Sequence, residues 1–362
     1  PTGKAAARLQ AGLEATAPGH AVHTLHRLLG ARPHTRRLRH DRENPLHVDV
    51  LVIDEASMVD LELMTAVMDA LPDEARLVLV GDRDQLASVE PGAVFSELCD
   101  PAVAALAPCR VSLEQNFRFG ADSAIGALAR AVNEGAGVPD ALAGAGDELA
   151  LTRVAGADDP VLVRALHEGY GPYLALLDAP GSVDPREALA RLGAFRVLCG
   201  PRSGPWGVAA VNAILEAHPR FAGAPAGADG WYHGRPVMVT RNDLDLGLYN
   251  GDVGVALRDE RRALRVWFET EGRLRALAPG RLGSAETVWG MTVHKAQGSE
   301  FDHVALLLPD RPTPLYTREL LYTGITRARR RLTLLSGDPA LLPTLARTRT
   351  HRASGLAARL RA

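Results

Sequence analysis

The chain has 362 residues, of which 46% are hydrophobic and 23% charged, a composition typical of a globular protein with two or three domains. The net charge of −2 gives no sign of a globally basic nucleic-acid-binding protein, and no apolar run approaches the ~18 residues of a membrane span. The three cysteines are far apart and form no CxxC motif, which argues against a disulfide framework or a zinc site and fits a reducing cytoplasm, where we expect the protein.

The first ten residues, PTGKAAARLQ, resemble the end of a phosphate-binding loop only in part. A complete loop has the pattern G-x-x-x-x-G-K-[ST], and its final hydroxyl ligates Mg²⁺. Lys4 is followed by Ala5, which has no hydroxyl, and the first glycine of the pattern would lie before Pro1. Because the chain begins at Pro rather than Met, we expect a fragment that lacks its natural N-terminus.

The next segments predict a βαβ unit. The apolar run VDVLVI (48–53) is typical of a buried parallel strand, and the periodic segment 59–72 predicts a helix that ends at a proline. RLVLVGD (76–82) predicts a second buried strand, so that strand, helix and strand follow one another within 35 residues. A third strand is predicted within VSLEQNFR (111–118).

A second α/β region is predicted after a long connection. Residues 134–160 are rich in Gly, Ala and Asp, which predicts a loop or lobe boundary. Helical patterns follow at 161–178 and 185–193, then strand character at 195–200 and another helix at 206–218.

The sequence pattern changes after a predicted loop at 219–230. Several short strands separated by turn residues predict a small, SH3-like β-barrel across 231–285. Strand patterns resume at 303–309 and 330–337, so the α/β region continues on the far side of the insertion.

The carboxylates of Asp54 and Glu55, at the end of the first predicted strand, are the clearest catalytic candidates. In LVIDEAS, Asp54 and Glu55 follow a buried parallel strand, as in a Walker B motif. Asp54 would hold Mg²⁺, directly or through water, and Glu55 would orient and deprotonate an attacking water. The alternative is an ordinary surface turn with two carboxylates; the apolar run before them and the helix after them favour Walker B.

Three further side chains fit nucleotide hydrolysis. Gln85, in GDRDQL after the second strand, is an amide that could donate to a γ-phosphate and accept from a water. Arg118, in LEQNFRFG, and Arg327, in YTGITRARRRL, could neutralise transition-state charge as arginine fingers do. For Arg118 the alternative is one more Arg among 39, in a chain whose 41 basic residues include only two lysines, Lys4 and Lys295.

The segment MTVHKAQGSEFD (291–302) is polar, contains a glycine and lies between apolar stretches, a pattern that usually contacts a ligand. Thr292 and His294 could contact a phosphodiester, and Gln297, Gly298 and Glu300 could approach a nucleotide or an interface. The alternative for His294 is a neutral core or surface histidine.

In this order, VIDEAS, GDRDQL, QNFRF, TVHKAQGSEFD and YTGITRARRRL resemble motifs II to VI of superfamily 1 helicases. Within that superfamily the chain resembles the RecD family, the helicase subunits of exodeoxyribonuclease V (RecBCD). That closer likeness is carried by PTGKAAARL, TLHRLLGA, GPWGVAAVN and WYHGRPVMVTRNDLDLGLYNGDVG, and it covers essentially the whole chain.

The resemblance implies an α/β fold with two RecA-like P-loop NTPase lobes and an SH3-like insertion in the second. It divides the chain into a first lobe (1–140), linker helices with the start of the second lobe (141–230), the insertion (231–285) and the rest of the second lobe (286–362). The ligands it implies are ATP and Mg²⁺. The Walker A loop is expected upstream of this sequence, so the fragment alone should not hydrolyse ATP efficiently.

The resemblance also implies 5′→3′ translocation on single-stranded DNA, duplex DNA ends as substrate, and RecB-like and RecC-like partner subunits in double-strand-break repair by recombination. The DNA contacts carried over from the motifs are Thr2, Lys4, His26, Thr292 and His294. Alternatives are a stand-alone RecD-like helicase and a structural subunit without ATP turnover. A single-lobe switch ATPase is disfavoured, because two of the motifs belong to a second lobe.

Overall fold

A computed structural model describes residues 2–16, 19–31, 37–113, 120, 123–144, 146–179, 182–221, 230–243, 245–270, 272–350 and 355–361. The helices of this part are α1 Gly3–Thr16, α2 Leu25–Leu28, α3 Leu61–Ala70, α4 Val94–Leu98, α5 Ala124–Glu134, α6 Val138–Ala143, α7 Pro160–Asp178, α8 Pro185–Ala194, α9 Val208–Glu216, α10 Arg318–Ile325, α11 Leu342–Arg347 and α12 Leu356–Arg361.

The strands are β1 Val50–Ile53, β2 Arg76–Leu79, β3 Leu149–Arg153, β4 Phe195–Cys199, β5 Arg235–Val239, β6 Val253–Arg258, β7 Leu264–Thr270, β8 Arg273–Leu277, β9 Ala285–Thr287, β10 Gly290–Thr292, β11 Phe301–Leu308 and β12 Ala328–Ser336. They form three sheets within the described residues. The chain divides into two compact units, one of residues 1–115 with 350–362 and one of residues 116–349.

The first unit contains the predicted βαβ arrangement, in which β1 pairs in parallel with β2 and α3 connects them. The Asp60 side chain caps α3 by accepting a hydrogen bond from Leu63 N at 2.8 Å. One face of α3 then packs with β1 into a core whose members include Leu51, Ile53, Leu63, Met64, Val67, Val94 and Phe95. The strand–helix–strand prediction is therefore confirmed.

The prediction of a buried parallel strand at 48–53 holds for only one face of β1 in the described residues. Leu51 and Ile53 are buried, whereas Val50 and Val52 on the other face are 52% and 54% exposed. The same alternation continues on β2, where Val78 is 37% exposed. The strands have the continuous apolar sequence of a sheet with two covered faces, but the described part of the unit covers one.

The second unit is built on a five-stranded parallel sheet with the order β10-β4-β11-β12-β3. Its inner strand β4 is buried at every position, as expected for a sheet with helices on both faces. Side chains of α7, α8 and α9 share one core with residues from one face of β4 and β11. On the other face α10 lies so close to β11 that a Cβ on Gly324 would be 3.0 Å from Leu306 Cδ1.

The prediction of a loop across 134–160 is wrong, because this stretch contains α6 and the edge strand β3. The strand pairs in parallel with β12, from Leu149 opposite Leu332 to Arg153 opposite Ser336. Its partner lies more than 180 residues later in the sequence, so local composition carries no signal for the pairing. The predicted strand at 111–118 is absent from residues 111–113, and its remainder lies outside the described residues.

Between β5 and β9 the second unit carries an antiparallel five-stranded sheet, with the order β8-β7-β6-β5-β9. This confirms that a β insertion interrupts the α/β region. One face of it closes over its own core, which includes Val237, Val266 and Phe268. Residues of the opposite face join the core of the parallel sheet, and Arg186 of α8 bonds Glu269 of β7 at 2.9 Å.

In the described part of the chain, every helix is too short or too polar to cross a lipid bilayer.

Candidate active site

The strongest catalytic candidates lie at one edge of the first unit, where two parallel strands end. Asp54 and Glu55 follow β1, and Asp82 and Gln85 follow β2 on the neighbouring strand. The Asp54 carboxylate accepts a hydrogen bond from Glu55 N at 2.8 Å. The carboxyl ends of parallel strands are where α/β proteins bind ligands, because the loops there converge.

The backbone turns sharply at Glu55. Its φ and ψ are 53° and 41°, the left-handed conformation that a side chain with a Cβ adopts at a cost of about 1 kcal/mol. A short 3₁₀ turn follows at once, held by a 2.9 Å bond from Ala56 N to Val80 O beyond the end of β2. A Cβ on Gly81 would be 3.1 Å from both Ala56 N and Ser57 N, so glycine permits this close approach of the two strand ends.

Gln85 is 9% exposed and is held by its neighbour Asp82. Its Nε2 donates to Asp82 Oδ2 at 3.1 Å, and its backbone N donates to Asp82 O at 3.3 Å. Its Oε1 is buried and has no hydrogen-bond partner among the described residues. The amide predicted both to donate and to accept therefore has its donor side on Asp82, and its acceptor side has no partner among the residues that the structure describes.

The unsatisfied polar atoms of this edge fit a hydrated ligand. Ser57 Oγ is buried without a hydrogen-bond partner in the described part of the chain, like Gln85 Oε1. A buried polar atom left unpaired costs about 1–3 kcal/mol, a cost that a bound water or phosphate would remove. The described residues contain no cluster of three His, Cys, Asp or Glu side chains that could hold a metal. Mg²⁺ is nevertheless compatible with Asp54 alone, because it commonly keeps several waters and binds substrate phosphates.

The predicted DNA contacts of the first unit lie on its first two helices. Thr2 Oγ1 accepts a hydrogen bond from Ala5 N at 3.2 Å and so caps α1. Lys4 lies in the first turn of that helix, and its side chain is outside what the structure describes. His26 lies on α2 with an exposed side chain. Arg118 lies outside the described residues.

In the second unit, Thr292 ends β10 and His294 begins the 3₁₀ turn that follows. Thr292 is 9% exposed, and its Oγ1 accepts from Lys295 N at 3.3 Å. The Lys295 ammonium donates to Asn250 Oδ1 of the β insertion at 2.8 Å. Burial lowers the pKa of Lys295, an effect that Arg202 strengthens and Glu286 opposes.

The structure brings Arg327 together with the loop that carries Gly298 and Glu300. Arg327 is 2% exposed; its Nη1 donates to Ser299 O at 3.2 Å and its Nε to Thr323 O at 3.1 Å. Gly298 has a φ of +70°, a conformation that favours glycine. The Glu300 carboxylate lies 3.9 Å from Arg329 Nε. Arg327 is thus a buried side chain with a defined position.

Two features of the site were not predicted from the sequence. The i, i+3 spacing of Asp82 and Gln85 is a local signal that could have indicated their contact. The contact of Lys295 with Asn250 joins residues 45 positions apart, and no local pattern indicates it.

Known proteins resemble the chain over most of its length. A family model described as an AAA domain matches residues 1–153, and one described as a UvrD-like helicase C-terminal domain matches residues 287–335. The chain is 42% identical to the RecBCD enzyme subunit RecD of Mycobacterium tuberculosis, over 99% of this chain and 63% of that protein. It is 34% identical to the ATP-dependent RecD2 DNA helicase of Deinococcus radiodurans, over 100% of this chain and 46% of that protein.

Among solved structures, the chain is similar to Pif1 helicase from Bacteroides in complex with ADP-AlF3 and ssDNA. The TM-score is 0.51 and the identity 17%, over 93% of this chain and 87% of that one. This likeness supports an α/β helicase fold. The chain spans just under two thirds of the length of the M. tuberculosis relative.

Proposed function

We propose that this chain, a homologue of RecD-type helicases, is the ATP-driven motor region of a 5′→3′ DNA helicase. The observation that carries the proposal is the edge where Asp54, Glu55 and Gln85 follow two neighbouring parallel strands. The proposed ligands are ATP and Mg²⁺; when bound, the ion would neutralise charge on the phosphates.

The residues of the first unit have distinct proposed roles. Asp54 would hold the Mg²⁺, directly or through water, with its carboxylate kept in place by the Glu55 backbone. Glu55 would accept a proton from the attacking water. Its left-handed backbone turns the chain directly after the Asp54 ligand. Gln85 would help to orient the same water.

Two arginines are proposed to neutralise charge on the phosphates during hydrolysis. Arg327 has the better support, because its guanidinium is fixed by backbone carbonyls beside the loop of Gly298 and Glu300. We propose this loop as the nucleotide-contacting segment of the second unit. For Arg118 the proposal rests on the family motif alone.

DNA binding is proposed for both units. Thr2, Lys4 and His26 would contact the backbone of single-stranded DNA from the first unit, and Thr292 and His294 from the second. Such contacts are independent of sequence and weaken as the salt concentration rises. We propose that the β insertion is SH3-like, as in the family that the motifs resemble.

The proposed setting is the repair of double-strand breaks by recombination, in the bacterial cytoplasm, with RecB-like and RecC-like subunits. The M. tuberculosis relative is named as the RecD subunit of the RecBCD enzyme. A stand-alone helicase is the second candidate, because the D. radiodurans RecD2 helicase is 34% identical over the whole chain. A structural role without ATP turnover is the third.

The substitution Glu55→Gln tests the motor proposal in the full-length protein. We expect it to leave ATP binding intact and to reduce DNA-stimulated ATP hydrolysis by about 10²-fold or more, because the amide cannot accept the proton. Glu62→Gln, on the exposed first turn of α3, is the matched control and should behave as wild type. ATP turnover near the wild-type rate in Glu55→Gln would contradict the role of this residue as base.

The same proteins decide the direction of movement and the alternatives. Wild type should unwind duplexes with a 5′ single-stranded tail and leave those with a 3′ tail intact. Unwinding from 3′ tails would overturn the polarity, and a wild-type protein without ATPase activity would favour the structural subunit. Full unwinding without added subunits would favour the stand-alone helicase.

A further inference from the structure

We propose that Asp82 is a positioning residue that sets the orientation of the Gln85 side-chain amide, so that the Gln85 atom that acts in hydrolysis is its acceptor, Oε1. The inference rests on the proposed function and deepens it. It assigns a role to a residue of GDRDQL for which the motif alone suggests none, and it chooses between the two chemical roles open to a glutamine.

The Asp82 carboxylate accepts one local hydrogen bond on each of its two oxygens. Oδ1 accepts from Asp84 N at 3.0 Å, and Oδ2 accepts from Gln85 Nε2 at 3.1 Å. The bond from Gln85 N to Asp82 O at 3.3 Å closes the same turn. Both residues are thus held to each other through backbone and side chain.

An ionised carboxylate can only accept hydrogen bonds, so it determines which end of an amide faces it. If the Gln85 amide were rotated by 180°, its Oε1 would face Asp82 Oδ2, and two acceptors would repel each other in a site that is nine-tenths buried. Asp82 therefore holds the NH₂ group and leaves Oε1 on the opposite side of the amide.

The Gln85 atom that is left to bind a ligand is then a hydrogen-bond acceptor. Gln85 Oε1 is buried and has no hydrogen-bond partner in the described part of the chain. A phosphate oxygen carries no proton to donate to it, whereas a water O–H does. Gln85 would accordingly accept a hydrogen bond from the attacking water and orient it, while Glu55 takes up the proton.

Exchanging the hydrogen-bond donor and acceptor between positions 82 and 85 tests the inference. In Asp82→Asn, the amide oxygen at position 82 still accepts from Asp84 N, so the new NH₂ group faces Gln85. The Gln85 amide would then rotate to place its own oxygen against this NH₂ group, and the Gln85 NH₂ group would take the former place of Oε1. In Gln85→Glu, two carboxylates face each other. In the double variant D82N/Q85E, the new amide at position 82 donates to one oxygen of the new carboxylate at position 85 and leaves the other oxygen as an acceptor, as in wild type.

The measurements are single-turnover ATP hydrolysis in the full-length protein and its thermal unfolding. We expect each single substitution to slow hydrolysis about 10²-fold and the double variant to recover to within about tenfold of wild type. Gln85→Glu should also lower the melting temperature, and the double variant should restore it. Asp84→Asn, which changes the same charge two positions away, is the matched control and should hydrolyse ATP normally.

If Gln85 acts by donating to a phosphate, Asp82→Asn would stay active and the double variant, with no donor at position 85, would stay slow; that result would overturn the inference. Absence of restored stability in the double variant would contradict the Asp82–Gln85 contact itself. A wild-type protein without ATPase activity would contradict the proposed function instead, and the melting temperatures would still decide whether Asp82 orients Gln85.

Discussion

Individual side chains in this protein have local structural bonds as well as proposed contacts with ligands. Thr2 Oγ1 caps α1 and Thr292 Oγ1 accepts from the backbone of the following turn, so each hydroxyl already receives an N–H. A hydroxyl in this state can still donate its own proton to a phosphate. We therefore expect the charged or imidazole neighbours, Lys4 and His294, to contribute more to DNA affinity than either threonine.

His303 of β11 shows how burial controls a titratable side chain. Its ring packs against Phe195 and its Nε2 lies 2.9 Å from Thr333 Oγ1. Burial, strengthened by the charge of Arg331, lowers the pKa of His303 to about 4 from its usual 6.5. In the folded protein this imidazole is therefore neutral at pH 7.

The low pKa predicts a pH dependence of stability for the second unit. The unfolded chain takes up a proton on His303 near pH 6.5 and the folded chain only near pH 4, so the free energy of unfolding should fall as the pH drops through this interval. His303→Gln should flatten that slope, and Arg331→Gln should reduce it by raising the pKa. Urea unfolding followed by Trp fluorescence at pH 4 to 7.5 measures this; equal slopes in wild type and His303→Gln would contradict it.

At the scale of elements, the parallel sheet of the second unit depends on close approach of its helices. α7 crosses β4 at Gly169, where any Cβ would overlap the Phe195 ring. Glycine in the middle of a helix is unfavourable by about 0.5–1 kcal/mol relative to alanine, so its presence is explained by this contact. Gly193 of α8 has no atom within 4 Å of its Cβ position and has no such explanation.

These two glycines form a matched pair. Gly169→Ala should lower the free energy of unfolding by about 1–3 kcal/mol, because the methyl group displaces Phe195 in a packed core. Gly193→Ala should raise it by about 0.5 kcal/mol through helix propensity alone. Urea unfolding monitored by Trp fluorescence distinguishes them, and a stabilising Gly169→Ala would show that α7 does not lie on Phe195.

At the scale of the whole molecule, the chain consists of two units with separate hydrophobic cores. The C-terminal residues return to the first unit, where α12 packs on α4 and Leu356 lies against the first core. All four tryptophans belong to the second unit, the first being Trp206 and the last Trp289. Trp fluorescence therefore reports on one unit, whereas far-UV circular dichroism reports on both.

Removal of residues 350–362 should destabilise the first unit selectively. We expect part of the circular dichroism signal to be lost at a lower temperature than in wild type, while the midpoint measured by Trp fluorescence stays the same. Leu356→Ala should cause a smaller change in the same direction, because it removes only one partly buried contact. A fluorescence midpoint that falls together with the circular dichroism would contradict independent unfolding of the two units.

Local patterns in the sequence were sufficient for much of the fold and for the first half of the site. The strands around Leu51, Leu77 and Val197 and the helix α3 are apolar runs or periodic segments whose type, strand or helix, is indicated by their own residues. Asp54, Glu55 and Gln85 follow directly, because the end of a parallel strand can be located once the strand is predicted.

Only the tertiary structure decided which distant segments meet. The pairing of β3 with β12, the bond from Lys295 to Asn250 and the return of α12 to the first unit join residues whose own neighbourhoods in the sequence give no sign of a partner. It also showed that Asp82 holds the donor side of the Gln85 amide. The physical reason is that hydrophobic periodicity encodes the type of each element, whereas the choice of partner depends on packing and hydrogen bonding between segments that are distant in the sequence.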